Sequence, residues 1–312
     1  MKVSVCMITY NQQKFITQAI ESVMMQETNF NYELVIGEDC STDKTREICI
    51  EYHKKYPDKI RLLLHERNLG MMQNFVQTFQ ACQGQYVALL EGDDYWTAPH
   101  KLQEQVNFLD TYPDYAICCT RAMAFAEDRS RQTYYIPPDE YRKDTLTIKD
   151  LLRVNLIATC SVMFRNGLLS SFPDWFFSLR MGDWPLHIMN AQHGKIGYID
   201  ELMAAYRIHA GSNYSNRSLV ENLHNNIDFY KIINVHLNFK YKLLISGMLA
   251  QTYQALAAAY LQKKDKANAK SYALESIKSL SLENYCFRIG FLKSSSIVLA
   301  KSTIILAKSI VP

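Results

Sequence analysis

QYVALLEGDDYW, residues 85–96, is the stretch on which the fold turns. Tyr86 to Leu90 form an unbroken apolar run, long enough for a strand and short for a helix. Glu91, Gly92, Asp93 and Asp94 end it at once, and the aromatic pair Tyr95 and Trp96 follows. Three carboxylates so close together repel one another, and each is costly to desolvate unless a positive group sits among them. Such a cluster belongs at the end of a strand only in a sheet that gathers its functional groups there.

The same pattern recurs upstream. VSVCMI (3–8), ELVIGE (33–38) and IRLLLH (60–65) are short apolar runs without polar alternation, as strands covered on both faces require. Helical stretches at 15–25, 43–56 and 71–82 lie between them, and Thr42-Asp43 suits the start of the second, with an acid at the positive end of its dipole. Strand–helix–strand repetition at this spacing predicts an α/β fold, a doubly wound, mostly parallel sheet. Ligands of such sheets sit at the carboxyl ends of the strands, where GED (37–39) and EGDD (91–94) both fall. Residues 126–148 read as a polar surface excursion, and 181–215 as a second patch with catalytic character. After residue 218 strands vanish. Residues 249–284 read as a helical hairpin turning near Lys264-Asp265-Lys266, similar to one tetratricopeptide unit with no second copy. The expected division is therefore 1–218 for the α/β domain and 219–312 for an α-helical appendage.

Composition narrows the partners. A net charge of +3 over 312 residues gives no reason to expect nucleic acid. From Lys240 onward, however, eleven Lys or Arg face three acids, so residues 1–239 carry −5. That asymmetry predicts an acidic surface, an anionic membrane first, as partner of the C-terminal region. The eight cysteines form no metal-type pairing and several lie in apolar runs, which predicts reduced thiols of a cytoplasmic protein. No signal-peptide core follows the N-terminus, and no apolar run reaches the ~18 residues of a membrane-spanning helix.

VCMITYNQQKFITQAIESVMMQ, VIGEDCSTDKT, NLGMMQNF and LLEGDDYWTAPHKLQEQVNFL, in that order, resemble the family 2 glycosyltransferases of the GT-A fold over roughly residues 3–215. The resemblance implies an inverting, metal-dependent enzyme, using Mn2+ or Mg2+. Such an enzyme moves a sugar from a nucleoside diphosphate to an acceptor hydroxyl. Elementary chemistry agrees: the departing diphosphate builds negative charge, and a cation held by carboxylates neutralises it. By the resemblance Asp94 ligates the metal, while Asp93 holds ribose or metal-bound water. Glu91 stands where relatives often carry Asp. Asp39 matches the carboxylate that accepts from the base, usually uracil, and Thr9 and Tyr10 match the nucleoside contact. Asn68 belongs to a loop closing over the nucleotide, with Arg67 beside it as a phosphate partner. Relatives often carry Arg where this chain has Gln73.

An acceptor hydroxyl attacks only once a base takes its proton. In LRMGDWPLHI (179–188), Asp183 matches the base of the family's Glu-Asp motif, with Gly182 in place of Glu, and Trp184 is an acceptor platform or a core residue. AAYRIHAGSNYS (204–215) resembles the closing segment, in which His209 reaches metal or diphosphate and Arg207 or Ser212 assists. The implied partners are a UDP-sugar and a glycan or lipid-linked acceptor of cell-surface polysaccharide synthesis. The tail YCFRIGFLKSSSIVLAKSTIILAKSIVP (285–312) either lies on the inner face of the cell membrane with its lysines at anionic headgroups, or packs on the preceding hairpin or a second copy as a homo-oligomer. Two rivals share the architecture. A nucleotidyltransferase needs a Gly-rich loop where TYNQQKF stands, and a non-catalytic sugar-nucleotide or glycan-binding protein would lack the base. The GxGxxG of a dinucleotide oxidoreductase is absent.

Overall fold

β1 (Val3–Thr9) is buried along nearly its whole length and sits between two parallel partners, β2 (Tyr32–Glu38) and β4 (Tyr86–Leu89). β3 (Ile60–Leu64) extends the parallel series beyond β2. All seven residues of β2 and all four of β4 are buried, which is why these strands lack polar alternation. The crossovers carry α1 (Ile16–Met24), α2 (Thr45–Lys55) and α3 (Met71–Gln80). α1 turns Ile16, Ala19, Ile20 and Val23 into the core against Val5, Met7, Leu34 and Ile36.

The rest of the sheet is mixed. The further elements are β5 (Tyr95–Trp96), α4 (Lys101–Thr111), β6 (Tyr115–Ala126), β7 (Tyr134–Ile136), β8 (Thr145–Leu146), α5 (Ile148–Leu151), β9 (Val162–Arg165), α6 (Asp183–Asn190) and β10 (Lys195–Ile208). The strand order is β3-β2-β1-β4-β9-β6-β10-β5, with β7 beside β6 and β8 beside β10. β9 runs antiparallel to both neighbours, whereas the long β10 runs parallel to β6. The polar excursion at 126–148 thus contains β7 and β8.

This computed structural model describes residues 1–211, 217–280 and 289–310, without the side chains of 289–296 and 310. It divides into two compact units, Met1–Ala210 and Gly211–Pro312. The second unit holds α7 (Leu219–His236), α8 (Lys242–Gln262), α9 (Lys266–Ser279) and α10 (Ile289–Ile310). Ser218 and Glu221 form a reciprocal cap at the start of α7, and Asp265 caps α9 through the amide of Asn268 (3.0 Å). Small residues bring these helices close: Val298 of α10 packs on Ala250, and Ile305 on Ala257 and Ala273. Ile297, Ile304, Lys301 and Lys308 face outward. The described tail therefore packs on the hairpin while presenting a mixed apolar and basic face. Among the described residues no helix is long and apolar enough to cross a membrane. Seven cysteines are free thiols, and Cys286 lies outside the described residues.

Candidate active site

The ends of β1, β2 and β4 meet where the sequence placed its acids. The EGDD turn is drawn onto the end of β1 by a hydrogen bond from the Gly92 amide to Ile8 O (3.0 Å). A Cβ on Gly92 would lie 2.5 Å from Gln12 Oε1 and 2.8 Å from Thr9 Oγ1, so only glycine lets the turn come this close. Ligand atoms of Glu91, Asp93 and Asp94 lie within 4.8 Å of one another. Behind the turn, Trp96 is buried, donates its indole N–H to Cys160 O (2.8 Å) and stacks under the buried Lys101 ammonium at 4.3 Å. Burial pushes the Lys101 amine down to about 7. The aromatic half of the opening motif is the footing of the acidic half.

Asp94 is 1% exposed. Its Oδ1 accepts from the Arg207 amide (2.8 Å), whereas its Oδ2 is buried without a hydrogen-bond partner in the protein. Burial first, then the charges of Asp93 and Glu91, hold the Asp94 carboxyl well above the usual range. Burial together with Asp93 and Asp183 pushes Glu91 up to about 8. The Arg207 guanidinium, which acts on Asp93 and Asp94, is shared with Glu127, so the three carboxylates stay short of positive charge. The orphaned Asp94 oxygen and three hard oxygen donors fit a divalent cation such as Mn2+ or Mg2+, which would supply that charge.

His209, just beyond β10, meets Asp93 Oδ2 through Nε2 (2.9 Å), and its ring lies 4.6 Å from that of Phe15. Arg207 sits deeper, at 4% exposure. Its guanidinium donates to Asp93 O (2.8 Å), Gln18 Oε1 (2.6 Å) and Glu127, and it lies over the rings of Phe15, Tyr95 and Phe125. In this arrangement Arg207 braces the acidic turn. Ser212 lies outside the described residues.

On the nucleotide side, Thr9 is buried and hydrogen-bonds Gln12 (2.8 Å), while Tyr10 is 44% exposed. Asn11 adopts φ +52, and its Oδ1 accepts from the Thr42 amide (2.8 Å), joining the loops after β1 and β2. Asp39 is buried at 1% exposure; its two oxygens accept from the amides of Leu69 (2.7 Å) and Gly70 (2.9 Å), and Asn68 donates to its backbone oxygen (3.1 Å). Asp39 and Asn68 are thus one knot. Arg67 beside them is exposed. Glu38 accepts from the Ser41 amide (2.7 Å) and pairs with Arg46.

Asp183 opens α6, half-buried, at the positive end of the helix. Asn155 donates to its Oδ2 at 2.7 Å. Trp184 is a core residue: it is 7% exposed and its N–H is bound to Leu151 O (2.7 Å), so it presents no platform. One turn on, His187 is fully buried, with no hydrogen-bond partner at either ring nitrogen, and burial pushes it down to about 4, a neutral imidazole. Sequence reasoning missed Asn155, Gln18 and Glu127. Each acts across a long separation, which no local motif reports.

Comparison with known proteins adds four facts. A family model, Glycosyl transferase family 2, matches residues 4–170. An uncharacterized Mycobacterium tuberculosis protein, Rv1520, is 39% identical over 207 residues, 66% of this chain and 59% of its own length. The putative teichuronic acid biosynthesis glycosyltransferase TuaG of Bacillus subtilis is 31% identical over 161 residues, 52% of this chain and 61% of its own. The match thus spans about three fifths of each of these relatives. The structure of S. aureus TarS 1–349, solved with UDP-GlcNAc, superposes with a TM-score of 0.64 at 18% identity, covering 98% of this chain and 91% of that one.

Proposed function

The chain belongs to glycosyl transferase family 2 and has the GT-A fold, and on that footing we propose that it is an inverting sugar transferase. The donor is a nucleoside-diphosphate sugar, a UDP-sugar first, and the acceptor a hydroxyl of a glycan or lipid-linked glycan in cell-surface polysaccharide synthesis. The transferred group is a hexosyl or N-acetylhexosaminyl unit. Relatives support the setting, since TuaG is named for teichuronic acid synthesis and TarS was solved with UDP-GlcNAc. The basic C-terminal region supports a place on the cytoplasmic face of the membrane.

The observation that carries the reading is the Glu91–Asp93–Asp94 trio with its orphaned buried oxygen, facing the charge of Asp183. A bound Mn2+ or Mg2+ would neutralise the diphosphate as it leaves. The protein's own groups do the rest. Asp94, fixed by the Arg207 amide, and Asp93, fixed by His209, would hold that ion. Asp39 and the Asn68 loop receive the base, with Thr9 and Tyr10 along the nucleoside. Asn155 holds one oxygen of Asp183, leaving the other for the acceptor hydroxyl. As Asp183 takes that proton, the acceptor oxygen bonds to the anomeric carbon and the bond to the diphosphate breaks on the opposite face. The test is diphosphate release from UDP-sugars with Mn2+, comparing wild type with Asp94→Asn and Asp183→Asn. Loss of turnover in both, with donor binding kept in Asp183→Asn, is the expected result; full activity in either would overturn that residue's role.

A further inference from the structure

The turn between α7 and α8 is strained, exposed and apolar at once. Asn238 (φ +48) and Phe239 (φ +59) both occupy the left-handed region, which Asn tolerates and a bulky aromatic residue rarely adopts. Four backbone hydrogen bonds fix this conformation: Asn238 N to Val235 O, Phe239 N to Asn234 O, Lys240 N to Leu237 O and Lys242 N to Phe239 O, all 2.9–3.0 Å. Leu237 is turned inward at 5% exposure, so the turn has its own apolar anchor. Phe239 is turned outward instead and is 54% exposed, with Val235 at 60% and Leu243 at 45% on either side. Stability alone would favour Asn or Gly at position 239, and backbone strain of this kind persists where a function uses it.

The charge around this corner is of one sign. Residues 231–244 contain three lysines and one histidine and not a single acid, and Lys231, Lys240 and Lys242 are exposed. We propose that this corner docks the protein onto an anionic lipid surface. Phe239, with Val235 and Leu243, inserts at the headgroup boundary, and Lys240 and Lys242 extend their stems along it to reach lipid phosphates. A bilayer receives a protruding apolar tip without a preformed pocket, and its negative surface potential complements the lysines. The exposed face of α10, with Lys301 and Lys308 beside Ile297 and Ile304, repeats the pairing of apolar and cationic side chains in the same unit. No residue of the nucleotide-sugar site takes part.

The experiment is sedimentation of the full chain with phosphatidylcholine vesicles and with vesicles in which phosphatidylglycerol replaces part of that lipid. Wild type should pellet with the anionic vesicles, and added salt should weaken this. Phe239→Asn should lower the vesicle-bound fraction about tenfold. Its melting temperature should be equal or higher, because Asn suits the left-handed turn, so unfolding cannot account for the loss. Lys240→Glu with Lys242→Glu should abolish the preference for anionic vesicles, and neither variant should change diphosphate release from a UDP-sugar with a water-soluble acceptor. Three results would each overturn the proposal: wild type staying in the supernatant, both variants pelleting as wild type does, or Phe239→Asn converting a dimer into a monomer, which would make a second copy the occupant.

Discussion

Arg207 and Arg67 carry the same charge near the same site and have opposite surroundings. Arg207 is buried and donates to Asp93 O, Gln18 and Glu127. Removing it leaves Asp94 and its neighbours without their nearest fixed cation, so Arg207→Met should destabilise the protein by about 3 kcal/mol. Arg67 is exposed, and Arg67→Ala should change stability by less than about 0.5 kcal/mol. Denaturant unfolding checks both; equal effects would deny Arg207 its bracing role. If Arg67 touches the donor, its variant should instead raise the donor KM. Asn155 makes a finer case. Its amide donates to Asp183 Oδ2, a charge-assisted contact worth about 1.5–3 kcal/mol. Asn155→Ala should lower kcat ten- to a hundredfold with donor KM unchanged. Asn155→Asp should not restore it, since two facing carboxylates repel.

At the level of elements, the strands that hold the site were legible because β1, β2 and β4 are buried on both faces and write themselves as apolar runs. The acids at their ends were legible for the same reason: polar residues abutting such runs mark the sheet's edge. α6 shows the limit. Asp183 was readable as an acid opening a helix, but the inward turn of Trp184 toward Leu151 depends on α5, more than thirty positions earlier. The antiparallel insertion of β9 is likewise set by neighbours on both sides, and β7 and β8 lie in a stretch too polar to announce strands. The EGDD turn offers a prediction at this scale. In Gly92→Ala the new methyl would meet Gln12 Oε1 and the Thr9 side chain within 3 Å. Gln12 can swing away, but Thr9 ends a buried strand, so the turn itself must shift. A stability loss of about 1–3 kcal/mol should accompany weaker Mn2+ binding, measured by titration calorimetry. A variant that lost stability yet bound the ion normally would show that the turn's position is not what shapes the site.

For the whole molecule, the acidic trio, as the proposed metal site, would couple folding, protons and metal in one equilibrium. Folding raises the Glu91 carboxyl from 4.5 to about 8 and shifts Asp94 the same way. A carboxyl raised on folding binds its proton more tightly in the native state. Its contribution is therefore complete below pH 4.5 and is lost as pH climbs to 8 and beyond. The ion-free protein should accordingly melt at a falling temperature between about pH 5 and pH 8.5, other groups being equal. A divalent cation binds the deprotonated form and must displace these protons, so its affinity should rise over the same interval. Mn2+ should thus raise the melting temperature more at pH 8 than at pH 6, flattening or reversing the decline. Asp94→Asn removes one charge from the cluster, which predicts two opposite changes: a shallower pH decline without metal, and little or no stabilisation with it. Differential scanning fluorimetry over a pH series, with Mn2+ or with EDTA, separates these effects. If the metal-free curve is flat while Mn2+ still stabilises, the ion is bound somewhere other than the turn between β4 and β5.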